Sequence, residues 1–76
     1  MTMKGKNLAA TAFAYGQCYE KRKQTPATDK HYRTYDALSI ELWRELVEYG
    51  ATDEKGKLKP ILKAAMNVGR NTVTER

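Results

Sequence analysis

Residues 7–24 read NLAATAFAYGQCYEKRKQ, and their apolar side chains have the spacing of a helix. These apolar side chains recur at steps of three and four residues: Leu8, Ala12, Tyr15 and Tyr19. Asn7 is a good N-cap for such a helix. Thr25 precedes Pro26 and should end it, because the residue before a proline avoids helical angles. Runs of alternating β-branched residues, which would indicate strands, are nearly absent. The sequence therefore predicts an all-α fold.

Signals for further helices follow along the chain. A short helical turn is expected to start at Thr28 and Asp29 and to run through Tyr35. Ser39 is the predicted N-cap of an acidic helix over residues 39–49. Gly50 is predicted to end this helix, because glycine readily adopts the left-handed backbone conformation found just after helix C-termini. Pro60 suits the first turn of the next helix, and a last short helix is expected from Arg70. The predicted fold is a small compact bundle of four to five helices.

Length and composition limit the classes of function. With 76 residues, the chain is predicted to form a single domain, residues 1–76. One histidine, His31, and one cysteine, Cys18, cannot build a structural zinc site or an internal disulfide. No pair of groups has the surroundings needed for acid–base or nucleophilic catalysis. We therefore expect neither an enzyme nor a bound cofactor or metal.

Charge is distributed unevenly along the sequence. Residues 1–33 carry a net charge of +5, residues 34–54 carry −5, and residues 55–76 carry +5 again. Two basic ends that meet on one face would suit phosphate. The alternative is a set of solvated faces of mixed charge. No apolar run is long enough to span a bilayer, so we expect no membrane association and a cytoplasmic protein.

Residues 67–73 read NVGRNTV and resemble the turn and recognition-helix start of the helix-turn-helix DNA-binding superfamily. The resemblance implies that Asn67 leaves the helix with a positive φ, which asparagine tolerates. It also implies that Gly69 caps the second helix and that Val73 points back into the core. The helix-turn-helix-like element would span about residues 58–76.

DNA recognition follows from this resemblance. The predicted DNA-binding residues are Lys59, Lys63, Gly69, Arg70, Asn71, Thr72, Thr74 and Arg76. Lysines would neutralise phosphates, while Arg70 and Asn71 can make bidentate contacts to guanine and adenine. The predicted function is a phage- or plasmid-type transcriptional regulator that binds duplex DNA as a homodimer. The small residues Ala9, Ala12 and Gly16 of the first helix form the predicted dimer surface.

Two alternatives remain open from the sequence. A small basic protein of a mobile element could instead bind a host protein and inhibit or redirect it. The predicted protein-interface residues are Tyr15, Tyr19, Trp43 and Tyr49. A third possibility is single-stranded nucleic acid, with bases stacked on tyrosines among lysines. In that case Tyr15 or Tyr32 would matter more than Asn71.

Overall fold

The computed structural model describes residues 7–74 and contains three helices. They are α1 (Leu8–Gln24), α2 (Lys30–Glu48) and α3 (Pro60–Thr74). The predicted all-α class is confirmed, but the described residues form three helices and not four to five. No strand is formed within residues 7–74, where a single antiparallel bridge pairs Thr52 with Leu58. None of the three helices is both long and apolar enough to span a bilayer.

Helix α1 has the predicted bounds. The Oδ1 atom of Asn7 accepts a hydrogen bond from the backbone N–H of Ala10 at 3.1 Å, as expected of an N-cap. At the other end, the backbone of Thr25 is extended, and its N–H donates to the carbonyl of Arg22. Lys23 in the last turn suits the negative end of the helix dipole.

Helix α2 merges two segments that the sequence predicts as separate. Asp29 caps its start, as predicted, by accepting a hydrogen bond from the N–H of His31 at 2.8 Å. The prediction that Ser39 is an N-cap is wrong, because Ser39 is buried in mid-helix and its hydroxyl donates to the carbonyl of Asp36 at 2.8 Å. A serine satisfied in this way does not interrupt a helix. The helix ends before Gly50, whose φ of 79° confirms the predicted left-handed stop.

Helix α3 also continues through a predicted break. It begins at Pro60 as expected, but it runs without interruption to Thr74. No residue other than glycine has a positive φ within residues 7–74, so the predicted turn at Asn67 and the separate helix from Arg70 are both wrong. The physical reason is burial: Leu62 and Val73 lie on one face of this helix, and a break at Asn67 would separate them. The predicted core position of Val73 is confirmed.

Helix α1 is the central element, and α2 packs antiparallel to it. Arg22 near the end of α1 pairs with Asp36 early in α2, while Tyr15 contacts the later Trp43. No Cα atom in the described part of α2 lies within 8 Å of one in α3. The buried apolar cluster consists of Ala12, Leu46, Ala51, Leu58 and Leu62. The flanking helices are therefore held together mainly through α1 and the loop that joins them.

Helix α3 runs in the same direction as α1 and crosses it closely. Phe13 faces Gly69 across the interface, and the later Gln17 donates to the hydroxyl of Thr72. A Cβ atom at Gly16 would collide with the carbonyl oxygen of Met66, and one at Gly69 would collide with that of Phe13. The two backbones can approach this closely only because both crossing positions are glycine.

Candidate binding groove

A groove lies between α2 and α3 on the described surface. Helix α1 and the loop between α2 and α3 also contribute to its lining. The groove has a volume of about 330 Å³. The lining residues are Tyr15, Tyr19, Trp43, Gly56, Lys57, Leu58, Lys63, Met66 and Arg70. It exists because both flanking helices pack on α1 and leave a gap between themselves.

Three aromatic side chains form one wall of the groove. The rings of Tyr15 and Trp43 are 5.4 Å apart between centroids and tilted by 42°. Tyr19 continues the wall, with its ring centroid 6.2 Å from that of Tyr15. Burial raises the pKa of the Tyr15 phenol, and the charge of Arg22 opposes this rise in pKa. The phenol is therefore neutral at physiological pH and keeps its proton as a hydrogen-bond donor.

Three basic side chains also line the groove: Lys57, Lys63 and Arg70. Lys57 and Lys63 are exposed, and neither forms an ion pair with a carboxylate among residues 7–74. The third cation, Arg70, donates from Nε to Oε1 of Glu20 at 2.9 Å and lies 4.9 Å from the centroid of the Tyr19 ring. None of the described lining residues is acidic. The two lysines thus provide the uncompensated positive charge.

The loop between α2 and α3 positions Lys57. Oδ1 of Asp53 accepts hydrogen bonds from the backbone N–H groups of Lys55 and Lys57, at 2.9 and 3.0 Å. Gly56 adopts a φ of 79°, which turns the chain back between them. Leu58 then anchors the returning segment in the core. Lys57 is not among the site residues predicted from the sequence.

The predicted DNA-binding residues lie in α3 or beside it, and the structure gives them different surroundings. Lys59, Lys63, Asn71 and Thr74 are exposed, as the sequence predicted. The prediction that Arg70 faces outward is wrong, because its guanidinium turns towards α1 to pair with Glu20, which is only 5% exposed. Arg76 lies outside the described residues.

Two further residues of that predicted set serve the packing of α3 on α1. Gly69 is buried against Phe13 and is not a helix cap. Thr72 is exposed, but its hydroxyl donates to the carbonyl of Gly69 at 2.6 Å and accepts from Gln17 at 3.1 Å. This hydroxyl therefore already has two partners within the chain.

The structure joins two sets of residues that the sequence assigned to rival functions. Tyr15, Tyr19 and Trp43, predicted as a protein interface, share the groove with Lys63, predicted to contact DNA. Tyr49, the fourth predicted interface residue, is the C-cap of α2 and is not part of the lining. Helical periodicity within each segment could not have predicted that these aromatic residues and Lys63 line the same groove.

The predicted dimer surface on α1 is wrong in part. Ala12 is completely buried, and Gly16 is covered by α3 of the same chain. A small-residue face allows close approach of any helix, and here the neighbour is intramolecular. Ala9 remains exposed. Homodimerisation stays a prediction, without the interface that the sequence suggested.

Cys18 is half-buried on α1, and this burial raises the pKa of its thiol, while the charge of Lys21 opposes the effect. The thiol is therefore a poor nucleophile at neutral pH. Within residues 7–74, no group of three or more histidine, cysteine or acidic side chains could hold a metal ion. The groove is the strongest candidate site in the described part of the chain.

Comparison with known protein families, curated proteins and solved structures found no match to this chain. The functional argument therefore depends on the groove and the charges around it.

Proposed function

We propose that this protein binds nucleic acid through the groove between α2 and α3. The observation that supports the proposal is the lining: three aromatic and three cationic side chains, with no carboxylate among the described lining residues. Phosphates would be neutralised by cations, and aromatic faces would contact bases. The proposed role is binding and not catalysis, and it fits a cytoplasmic DNA-binding regulator.

Charge complementarity at the edge of the groove is the main physical support. Lys57 and Lys63 can release counterions from a bound strand, because no protein carboxylate competes for them in the described structure. Arg70 contributes less charge, since Glu20 already neutralises it. The proposal thus keeps Lys63 as a predicted phosphate contact, adds Lys57, and no longer uses Arg70 as a base contact.

The test is fluorescence anisotropy of labelled oligonucleotides, both duplex and single-stranded, across a range of salt concentrations. Lys57→Ala combined with Lys63→Ala should weaken binding to the single strand. It should also reduce the slope of log K against log salt by about 1.4, since each single-strand phosphate contact contributes about 0.7.

A matched control is Lys23→Ala combined with Lys30→Ala, which removes the same charge from two exposed lysines that do not line the groove. This control should leave the salt slope close to that of the wild type. Equal losses in both double variants would mean that net charge alone drives binding. Absence of binding to any oligonucleotide at low salt would contradict the proposal outright.

A host protein is the second candidate partner, supported by a different surface. Helix α2 exposes the apolar side chains of Ile40 and Val47, at 50% and 49%, which lie on the same face because they are seven residues apart. Glu41 and Glu48 are exposed on the same helix. This surface would suit a basic protein with an apolar contact area. Val47→Ser would weaken such a complex and leave oligonucleotide binding unchanged, because Val47 lines neither the groove nor the recess beside it.

A further inference from the structure

We infer that the groove accommodates one unpaired nucleotide of a single-stranded nucleic acid, with its base against Tyr15 and Trp43 and its flanking phosphates at Lys57 and Lys63. This inference rests on the proposed function, because it identifies the form of nucleic acid that the same groove accepts. It also excludes an intact base pair as the occupant of the groove.

The size of the groove favours a single nucleotide. Its volume of about 330 Å³ is at the lower end of the range for sites that hold one small organic ligand. Its lining residues come from all three helices and from the loop that contains Gly56. A base inside a duplex could reach the aromatic wall only after leaving its stack, which costs free energy.

The chemistry of the wall favours a base over an aliphatic side chain. Tyr15 and Trp43 are half-buried, so each ring is held by packing while part of it stays accessible. Aromatic side chains held in this way stack on bases of any sequence, because every base has a π-face. The neutral phenol of Tyr15 adds a hydrogen-bond donor at the same place.

A second recess continues the groove along α1. It has a volume of about 210 Å³, shares Tyr15 and Trp43 with the groove, and is bounded by Arg22 and Ile40. The guanidinium of Arg22 pairs with Asp36 at 2.8 Å, so the excess positive charge lies on the Lys63 side. A strand that crosses the Tyr15–Trp43 pair would therefore have its phosphates drawn towards the lysines, with the neighbouring nucleotide over the second recess.

The experiment compares three ligands of equal length: oligothymidylate, the same strand with abasic residues, and a blunt duplex. Binding is followed by the fluorescence of Trp43, the one tryptophan of the sequence. Oligothymidylate should quench Trp43 and bind at least about fivefold more tightly than the abasic strand, since one stacked base contributes at least that factor. The duplex should leave Trp43 fluorescence unchanged.

Variants of Tyr15 separate stacking from general stability. Tyr15→Leu should reduce oligothymidylate affinity to the abasic level, while its unchanged affinity for the abasic strand shows that the fold is intact. Tyr15→Phe keeps the ring and should retain most of the preference. Tyr35→Leu removes a tyrosine outside the groove and should behave like the wild type.

The outcomes distinguish this inference from the proposed function. Equal affinity for thymidylate and abasic strands would overturn the inference and leave phosphate binding intact. Absence of binding to all three ligands would overturn both. If an oligoglutamate peptide that contains phenylalanine quenched Trp43 as strongly as thymidylate at the same salt concentration, the groove would be a site for acidic peptides and the inference would be wrong.

Discussion

Arg70 and Glu20 form an ion pair across the α1–α3 interface, with Nη2 of Arg70 2.8 Å from Oε1 of Glu20. Glu20 is 5% exposed, so its charge is almost removed from water. The guanidinium also lies 4.9 Å from the centroid of the Tyr19 ring. The residue that the sequence predicts as a DNA contact is therefore committed to holding two helices together.

Arg70→Ala should lower the free energy of unfolding by about 3 kcal/mol, because it leaves the Glu20 carboxylate buried without its cation. Urea denaturation followed by circular dichroism measures this loss. Lys63→Ala, an exposed substitution on the same helix, should change the free energy of unfolding by less than about 0.5 kcal/mol. In the Arg70→Ala background, Glu20→Gln should recover part of the loss. Equal stability of Arg70→Ala and the wild type would contradict the ion pair.

Gly16→Ala and Gly69→Ala should each destabilise the protein by about 2 kcal/mol or more, although alanine is the better helix former. Each added Cβ would collide with a backbone carbonyl of the neighbouring helix, and a backbone atom cannot turn aside. Gly56→Ala is the control, because a Cβ atom at Gly56 would contact no other atom. Its only expected cost is about 1 kcal/mol for placing an alanine at a φ of 79°. Thermal unfolding of the three variants measures the order. A smaller loss at Gly16 than at Gly56 would contradict the close crossing.

Helix ends could be predicted from the sequence because capping is local chemistry. Asn7 and Asp29 accept hydrogen bonds from N–H groups two or three residues ahead, and Gly50 needs only its own φ. The predicted breaks at Ser39 and Asn67 failed for the opposite reason. Both residue types permit a break without requiring one, and burial of the surrounding helix face decided against it.

The groove could be predicted only in its parts. Tyr15, Trp43 and Lys63 were each recognised as candidates, but they belong to three different helices. Their meeting depends on the order in which α2 and α3 pack around α1, and local periodicity contains no information on that order. Lys57 was missed because a lysine in a polar turn has no distinguishing pattern. The charge pattern left open whether the two basic segments share a face, and both uncompensated lysines of the groove come from the second segment.

Asn67 offers a direct comparison of a continuous α3 with a helix-turn-helix turn. In an exposed helical position, Asn67→Ala should stabilise the protein by about 0.6 kcal/mol, whereas Asn67→Gly should destabilise it by a few tenths of a kcal/mol. A turn that needs a positive φ would give the reverse order, because glycine adopts that conformation most easily. Urea denaturation of the two variants measures the sign. Greater stability of the glycine variant would restore the predicted turn.

Tyr15 should make stability fall at alkaline pH. Burial raises the pKa of its phenol above the ordinary value of 10.0, so the folded state retains this proton more strongly than the unfolded state does. The contribution of the neutral Tyr15 phenol to the free energy of unfolding is fully present below pH 10. It is lost as the pH rises through the higher pKa that this phenol has in the folded protein. Urea denaturation midpoints, measured from pH 8 to beyond pH 10, should therefore decline more steeply for the wild type than for Tyr15→Phe. In a titration followed by tyrosinate absorbance, Tyr15→Phe should lack one tyrosine among those that ionise at the highest pH in the wild type. Parallel declines would mean that the Tyr15 phenol is not desolvated against Trp43, and the wall of the groove would then be open to water.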